Sequence, residues 1–442
     1  MVAPDQTGPH SPALRSVGRL SERARRAGAA YAGPGSGPGP VEGPAPIGFT
    51  SGLPDPTLLP AGTLAEATAS VLGAEANAAL QYGGAQGWQG LRRWLSGHGL
   101  DRDVVELSPE HYCLANGSAG ALANICETFL DAGDVAGVES LSFPLSVRTI
   151  RSITPRIEAI PVDADGVVVD ALEERLEALA SRGERMRLFY AIPTFHNPTG
   201  SLLTLERRQK LVEVCRRHDV LLVEDDAYGE LWFGDPPPTS LYALAAGEGV
   251  IKVGSFSKIL APGLRAGWCQ APPPVIAALV ATRCDMGTSP LLLRVVERLG
   301  VSGFLDEHIA HVRGIYAHKS EVLQQALTAA CGGLCRWTTP AGGFFLWVAV
   351  AEEVDPLVLG EAARDEGVTF VGGHIFSSEQ AGGEGPRLPW GPGDSRSLRL
   401  AFSYVSEEEI VEGARRLGRA MARATGRGSA NREAGSPERT VS

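Results

Sequence analysis

Lysine is scarce in this chain. Four of its 40 basic residues are lysines (Lys210, Lys252, Lys258 and Lys319), and the remainder are arginines. Where only positive charge matters, the chain uses arginine, which stays protonated and is no nucleophile. A retained lysine is therefore marked as a residue needed for an amine that can lose its proton. Long apolar runs are also missing. None approaches the roughly 18 residues that span a bilayer. The N-terminal "MVAPDQTGPHSPALRS" lacks the apolar centre of a secretory signal, so a cytoplasmic protein is expected. The seven cysteines are scattered. The closest pair, Cys331 and Cys335, has no second pair or clustered histidine beside it. That argues against a zinc site and a disulfide framework and for reduced thiols. No G-x-G-x-x-G follows a first strand, which removes the dinucleotide fingerprint. Positive charge is in deficit: the net charge of −11 would repel nucleic acid and anionic membranes.

What is present is an ordinary globular composition, 44% hydrophobic and 21% charged over 442 residues. That length supports a large core and more than one domain. Residues 1–46 read as a basic amphipathic helix followed by a Gly/Pro-rich linker. From 47 to about 300, short apolar runs alternate with helical patterns. "HYCLANG" leads into "SAGALANICETFLDAG", "MRLFYAI" precedes "TLERRQKLVEVCRRH", and "VLLVEDD" and "VIKVGSFSK" follow. That alternation predicts a large, mostly parallel α/β sheet domain. From 301 to 424 a long helix, Leu305 to Ala329, is followed by the strands "FFLWVAV" and "SLRLAF", which predicts a smaller α+β domain. Residues 425–442 are polar and expected to be disordered. Residues 378–396, with Gly, Pro and a lone Trp390, read as a surface loop that shapes a pocket.

In open α/β sheets, ligands gather at the carboxyl ends of strands. Four unusual stretches fall there. "ANGSAG" opens a helix after a strand, so the Ser118 and Ala119 amides are placed to hold a phosphate. "YAIPTFHNPTG" presents Asn197, "VLLVEDDAYGEL" presents Asp225, Asp226 and Tyr228, and "GSFSK" presents Ser255, Ser257 and Lys258. Each alone also suits a bland role, such as a helix cap or a proline turn. As a set they offer an amine for a Schiff base, an acid for a ring nitrogen and donors for a phosphate, which are the needs of pyridoxal 5′-phosphate.

The series "NGSAGAL", "NPTG", "DDAYGEL", "GSFSKILAPGLRAGW", "GGFFLW" and "LRLAF" resembles the fold type I pyridoxal-phosphate enzymes, class I/II aminotransferases. It is most similar to the branch of 2-aminoadipate-type aminotransferases and the pyridoxal-phosphate-binding regulators. "IGFTSGLPDPTLLP" and "QYGGAQGWQGLRRWL" suit that branch, and the likeness runs from about Leu14 to Ala424. The resemblance implies transfer of an amino group between an α-amino acid and a 2-oxo acid through a Lys258 Schiff base. Lys258 then serves as the base at Cα. Asp225 pairs with the ring nitrogen, and Tyr228 and Asn197 bond the ring O3′. Ser255, Ser257, Arg265 and the Ser118 and Ala119 amides hold the phosphate. Phe143 stacks on the ring. Arg399 grips the substrate carboxylate, with Asn197 and Gly52 on the substrate side. Tyr82 reaches the phosphate of the neighbouring subunit in a homodimer with shared sites.

Four departures stand out. "ESLSFP" replaces Glu-Ser-Pro-Thr-Tyr, His196 stands where glutamine is common, "NGSAG" replaces Ser-Gly-Ser/Thr, and the 378–396 loop is long. Residues near the ring face can alter which Cα bond breaks. They keep elimination, replacement, decarboxylation or oxidation by the same fold as an alternative. They also leave His196 either a hydrogen-bonding substitute for glutamine or an acid/base group. A DNA-binding regulator is disfavoured because the segment before Ile47 is short, Gly/Pro-rich and followed by an acidic chain.

Overall fold

The computed structural model describes residues 46–97, 106–378 and 396–433, together with Ser21, and side chains as far as Thr425. The expected N-terminal helix and linker lie outside the described residues, as does all but the ends of the 378–396 loop.

Seven strands form the central sheet: β1 (Tyr112–Ala115), β2 (Val135–Glu139), β3 (Ile157–Ile160), β4 (Met186–Ala191), β5 (Leu221–Asp225), β6 (Val250–Ser255) and β7 (Gly267–Gln270). Their order is β1-β7-β6-β5-β4-β2-β3. β7 is antiparallel to both neighbours, and the other six share one direction. Helices cover both faces, so β2 and β6 are buried at every position. That is why these strands read as continuous apolar runs rather than alternating ones. The helix Leu205–Arg217 shows the complementary pattern, burying Leu211, Val214 and Cys215 on one side. The expected mostly parallel α/β sheet is present.

The topology brings five of the chain segments that matter to one edge. β1, β4, β5 and β6 all end there, and β7 begins there, because it runs the other way. In register, Gly267 of β7 lies between Ala115 of β1 and Ser255 of β6. The residues after Ala115, those after Ser255 and those before Gly267 therefore emerge side by side.

Two buried cations hold this edge together. Arg208, fully buried, donates to the carbonyls of Leu203 (2.9 Å) and Pro193 (3.0 Å) and to Thr194 Oγ1 (2.8 Å). It pins the loop that carries Asn197 and lies 3.8 Å from Glu224, the neighbour of Asp225. Glu224 in turn accepts from the amides of Leu241 and Tyr242. Lys319 acts at the other side. It lies on the long helix α1 (Phe304–Cys331), whose bounds enclose the expected Leu305–Ala329.

A second sheet is built from β8 (Cys335–Trp337), β9 (Phe345–Val350), β10 (Val371–Gly372) and β11 (Ser397–Ala401), in the order β8-β9-β11-β10. The strap of residues 47–59 is bonded to this region. Ile47 N donates to Gly367 O, Ala401 N to Phe49 O, and Ser403 Oγ to Leu53 O. Ile47–Gly48 of the strap pairs in parallel with Val368–Thr369; beyond it the prolines at 54 and 56 limit regular structure to one short 3-10 turn, Pro56–Leu58, with proline at its first position and Asp55 capping it through Thr57 N. Lys319 Nζ lies 2.5 Å from Asp55 Oδ2 and donates to the carbonyls of Ser403 and Val405. The last helix, α2 (Glu407–Glu433), continues beyond Thr425 into the stretch expected to be an unstructured tail. No helix among the described residues is long and apolar enough to cross a membrane.

Burial works to raise the Asp55 pKa, but Lys319 and Thr57 outweigh it and hold the carboxyl below its usual value. Stability from this pair is therefore present above the unfolded Asp value and lost as pH falls through the depressed one. Lys319→Met should lower the unfolding free energy in urea by about 3 kcal/mol at neutral pH, because Asp55 is left charged and unpaired. The difference from wild type should shrink as the pH falls through about 4. A pH-independent difference would mean that only packing was lost.

Candidate active site

A cavity of about 370 Å³ opens at the shared strand edge. Its wall takes residues from every segment that ends there: Ser118 and Ala119 after β1, Asn197 after β4, Asp225 and Tyr228 at the end of β5, Ser255, Ser257 and Lys258 after β6, and Arg265 before β7. Gly52 of the strap, Phe143, and Phe345 and Arg399 of the second sheet complete it. Twelve of the thirteen sequence-derived site residues thus lie around one space. Tyr82 does not. It is 78% exposed and lines a separate cleft with Gly83 and Trp88.

Lys258 is distinguished by what it lacks. Lys210 pairs with Asp170 on the surface, Lys252 lies 3.4 Å from Asp226 Oδ2, and Lys319 is held by Asp55. Lys258 Nζ donates to a backbone carbonyl, Gly52 O, at 2.8 Å. Burial pulls its pKa down to about 8. The Arg399 and Arg265 guanidiniums push the same way, with Asp225 opposing. Part of the amine is therefore neutral at physiological pH.

Asp225, the last residue of β5, and Asp226, which follows it, are adjacent carboxylates that point to opposite sides of the extended chain. Asp225 faces the cavity, and Asp226 turns to Lys252. Asp225 Oδ2 accepts from Tyr190 OH at 2.6 Å and Oδ1 from Ala227 N at 3.2 Å. Burial raises the Asp225 pKa to about 6. Those two hydrogen bonds lower it, and the Asp226 and Glu139 charges raise it. Burial likewise lifts Tyr228, whose hydroxyl bonds Asn197 and whose ring meets Phe344 and Phe345 edge-on at 5.5 Å.

The phosphate-type cradle is assembled from backbone and hydroxyls. The helix α3 (Gly117–Phe129) begins at Gly117, and its N-cap Asn116 makes no side-chain capping bond. The first-turn amides of Ser118 and Ala119 remain available to an anion. Gly117 has φ +73°, and a Cβ there would sit 2.7 Å from Arg265 Nη2. Arg265 itself is left-handed at φ 49°, a strained conformation for a non-glycine residue. It donates to Asn116 O at 3.1 Å. Ser255 Oγ bonds both Ser257 Oγ and Ser257 N.

Arg399 lies between two rings, its guanidinium 4.4 Å from Phe345 and 4.7 Å from Phe376. It donates to Asn197 Oδ1 at 2.9 Å and Thr50 O at 2.7 Å. Burial lowers its pKa to about 10, so it stays cationic at neutral pH. Among the described residues no carboxylate pairs with this buried cation, which leaves it able to take an anion. Gly52 leaves room opposite: a Cβ there would lie 2.7 Å from Phe345.

His196 does not line the cavity. It is buried behind it, Nε2 at 3.2 Å from Glu139 Oε2 and Nδ1 at 2.8 Å from Thr199 Oγ1. Its Nδ1 is hydrogen-bonded, its Nε2 is near Glu139 without a hydrogen bond, and neither nitrogen reaches the cavity, which does not suit an acid/base group acting on substrate. Sequence reasoning does not single out Tyr190, which sits in "MRLFYAI" and reads as a strand hydrophobe. It also passes over Glu139 and Arg208, whose burial has no local sequence signal. Among the described residues, no cluster of three or more His, Cys, Asp or Glu is placed to hold a metal ion.

The amine, the buried carboxylate, the anion cradle and the second cation match a flat cofactor that carries an aldehyde, a basic ring nitrogen and a phosphate. Residues 46–417 match the model of the family "Aminotransferase class I and II". The 2-aminoadipate transaminase of Thermus thermophilus is 36% identical, over 85% of this chain and 90% of that protein. The aromatic-amino-acid aminotransferase 1 of Thermococcus litoralis is 33% identical, over 84% and 87%. The solved structure of the Thermus thermophilus α-aminoadipate aminotransferase complexed with N-(5′-phosphopyridoxyl)-L-leucine superposes with a TM-score of 0.75 at 34% identity, covering 85% of this chain and 92% of that one.

Acylation of the cofactor-free protein by a small amine-reactive reagent, read peptide by peptide, should show Lys258 half-reactive near pH 8. Lys210, raised by Asp170, should keep gaining reactivity above pH 10. Arg399→Leu should move the Lys258 half-point upward, because a cation is removed. Equal titration of the two lysines would contradict a depressed Lys258.

Proposed function

This chain belongs to the class I and II aminotransferases, which use pyridoxal 5′-phosphate and move amino groups from α-amino acids to 2-oxo acids, and we propose that it does so at the cavity around Lys258, as a homodimer. When bound, the cofactor supplies an aldehyde that condenses with amines and a ring that takes up the electron pair left at Cα. The observation that carries the site assignment is the pairing of the four lysines. Lys258 alone faces the cavity, and its partner there is a carbonyl that leaves the amine free to lose its proton.

In this reading each residue handles one atom. The partly neutral Lys258 amine would hold the cofactor through its aldehyde, and once a substrate amine has taken that place it would serve as the base that removes the proton from the substrate Cα. Asp225 would keep a proton on the ring nitrogen. Tyr228 and Asn197 would hydrogen-bond the ring O3′, and Phe143 would lie against the ring. Ser118, Ala119, Ser255, Ser257 and Arg265 would hold the phosphate by hydrogen bonds and charge. Arg399 takes the substrate carboxylate by its planar fork, with Asn197 and Gly52 lining the same side. Tyr82, exposed and outside its own chain's cavity, serves the phosphate of the partner's site.

The test is a panel of amino acids added singly to the holoenzyme, with the cofactor followed by absorbance. Substrates should convert the aldehyde form to the amine form without oxygen and without release of ammonia. Asp225→Asn should bind cofactor but lose about 10²–10³-fold in that conversion, as when one charge-assisted bond is removed from a dry site. Asp226→Asn should stay near wild type, because its carboxylate faces Lys252. The reverse outcome would reassign the ring-nitrogen partner to Asp226. Formation of ammonia would replace transamination by elimination.

For the shared site, Tyr82→Phe and Lys258→Ala subunits are mixed. About half of the statistically mixed dimers are hybrids, and a two-fold arrangement gives each hybrid one site with both native residues. Activity should return above that of either variant alone. No recovery, with Tyr82→Phe itself impaired, would count against the exchange of Tyr82.

A further inference from the structure

We propose that Tyr190 is a positioning residue: with Ser146 it fixes the orientation and the ionised state of Asp225 and ties that carboxylate to the helix that presents Phe143. The inference rests on the reading of Asp225 as the ring-nitrogen partner.

Tyr190 stands one residue before the end of β4 and is completely buried. It is in register with Val223 of β5, so Asp225, two residues further along, lies on the same face and diagonally across. The phenol bridges that diagonal. Its oxygen is 2.6 Å from Asp225 Oδ2 and 2.9 Å from Ser146 Oγ. A phenol carries one proton, and an ionised carboxylate can only accept. The Tyr190 proton therefore points at Asp225, and Ser146 completes the chain by donating to the phenol oxygen. Burial and the neighbouring Asp225 charge raise the Tyr190 pKa well above its ordinary value, so it remains a donor throughout the working range.

Asp225 is thereby clamped at both oxygens, Oδ2 by Tyr190 and Oδ1 by Ala227 N. Rotation of the carboxylate would break one bond or the other. Ser146 lies in the first turn of the helix α4 (Pro144–Ile153), whose N-cap is Phe143. The amides of Ser146 and Val147 both donate to Phe143 O. The group that meets the ring edge and the group that meets the ring face thus share one anchor.

The charges around Asp225 make this donor consequential. Glu139 at the end of β2 and Asp226 just after β5 both push the Asp225 proton affinity up, in addition to burial. His196 Nε2 lies 3.2 Å from Glu139 Oε2, and Lys258 and Arg399 line the same cavity as Asp225. Without Tyr190, the Ala227 amide is the remaining hydrogen bond that favours the anion. A protonated Asp225 has no charge with which to hold a ring-nitrogen proton.

The test measures affinity for pyridoxamine 5′-phosphate against pH, in wild type, Asp225→Asn, Tyr190→Phe and Ser146→Ala, using the full chain freed of cofactor. This ligand has no aldehyde and does not condense with Lys258. Dividing by the Asp225→Asn affinity at each pH removes the titration of the ligand itself. The wild-type ratio should fall as pH drops through about 6. In Tyr190→Phe the fall should be displaced upward by about one pH unit, the size expected for loss of one hydrogen bond to a charged group. Ser146→Ala should move it the same way by less, and it covers the case in which Tyr190→Phe does not fold. A wild-type ratio flat with pH overturns the role of Asp225 and the inference with it. A fall that stays at the same pH in both variants, with binding uniformly weaker, leaves Asp225 in place and overturns the inference: Tyr190 would then only pack.

Discussion

The structure turns on an amine held away from water without a carboxylate to pair it. A charged ammonium in a partly desolvated cavity is expensive, and the two guanidiniums nearby make it more so. The protein accepts that cost at Lys258, and the result is an amine that gives up its proton near pH 8. Every other lysine is stabilised in the usual way, by an acid at its side. The same acids keep the cavity selective. Asp226 is engaged with Lys252, and Asp55 with Lys319, so Asp225 is the carboxylate left facing Lys258.

An unpaired amine is useful only if its neighbours cannot collapse onto it. The strand edge supplies that rigidity. Gly267 of β7 fills the gap between Ala115 and Ser255, which brings the anion cradle and the Lys258 turn side by side. Arg208, buried against backbone carbonyls, holds the Asn197 loop in the manner of an internal peg. On the other wall the strap is fastened by Lys319 of α1, by Arg399 of the second sheet and by Ser403 just after it. Gly52 O, the hydrogen-bond acceptor for Lys258, is therefore placed by residues more than 250 positions away in sequence.

The carboxylate opposite follows the same logic with the sign reversed. Asp225 is buried among two other acids, which favours its neutral form. Tyr190 and Ala227 pull it back toward the anion. Its proton affinity is a balance of burial against two hydrogen bonds, and neither side of that balance resides in Asp225 alone.

Much of this was legible in the residues themselves. The parallel sheet could be read because strands buried on both faces must be continuously apolar. The scarcity of lysine left four candidates for a functional amine, and the serine-rich turn after a strand end picked out Lys258 among them. The order of Asn197, Asp225, Tyr228, Ser255, Ser257 and Arg265 along "NPTG", "DDAYGEL" and "GSFSKILAPGLR" marked the strand ends where ligands gather. Other features were settled only by the tertiary structure. Which of Asp225 and Asp226 faces the cavity depends on strand pleat and on the position of Lys252. His196 proved to face Glu139 because β2 and the Asn197 loop meet behind the cavity. Tyr190, a strand hydrophobe by composition, became a hydrogen-bond donor once register set it diagonal to Asp225. The division has one physical cause. Burial pattern and residue chemistry are properties of a short stretch of chain, whereas a proton affinity is set by every charge and dipole within a few ångströms, and in this fold those come from segments far apart in sequence.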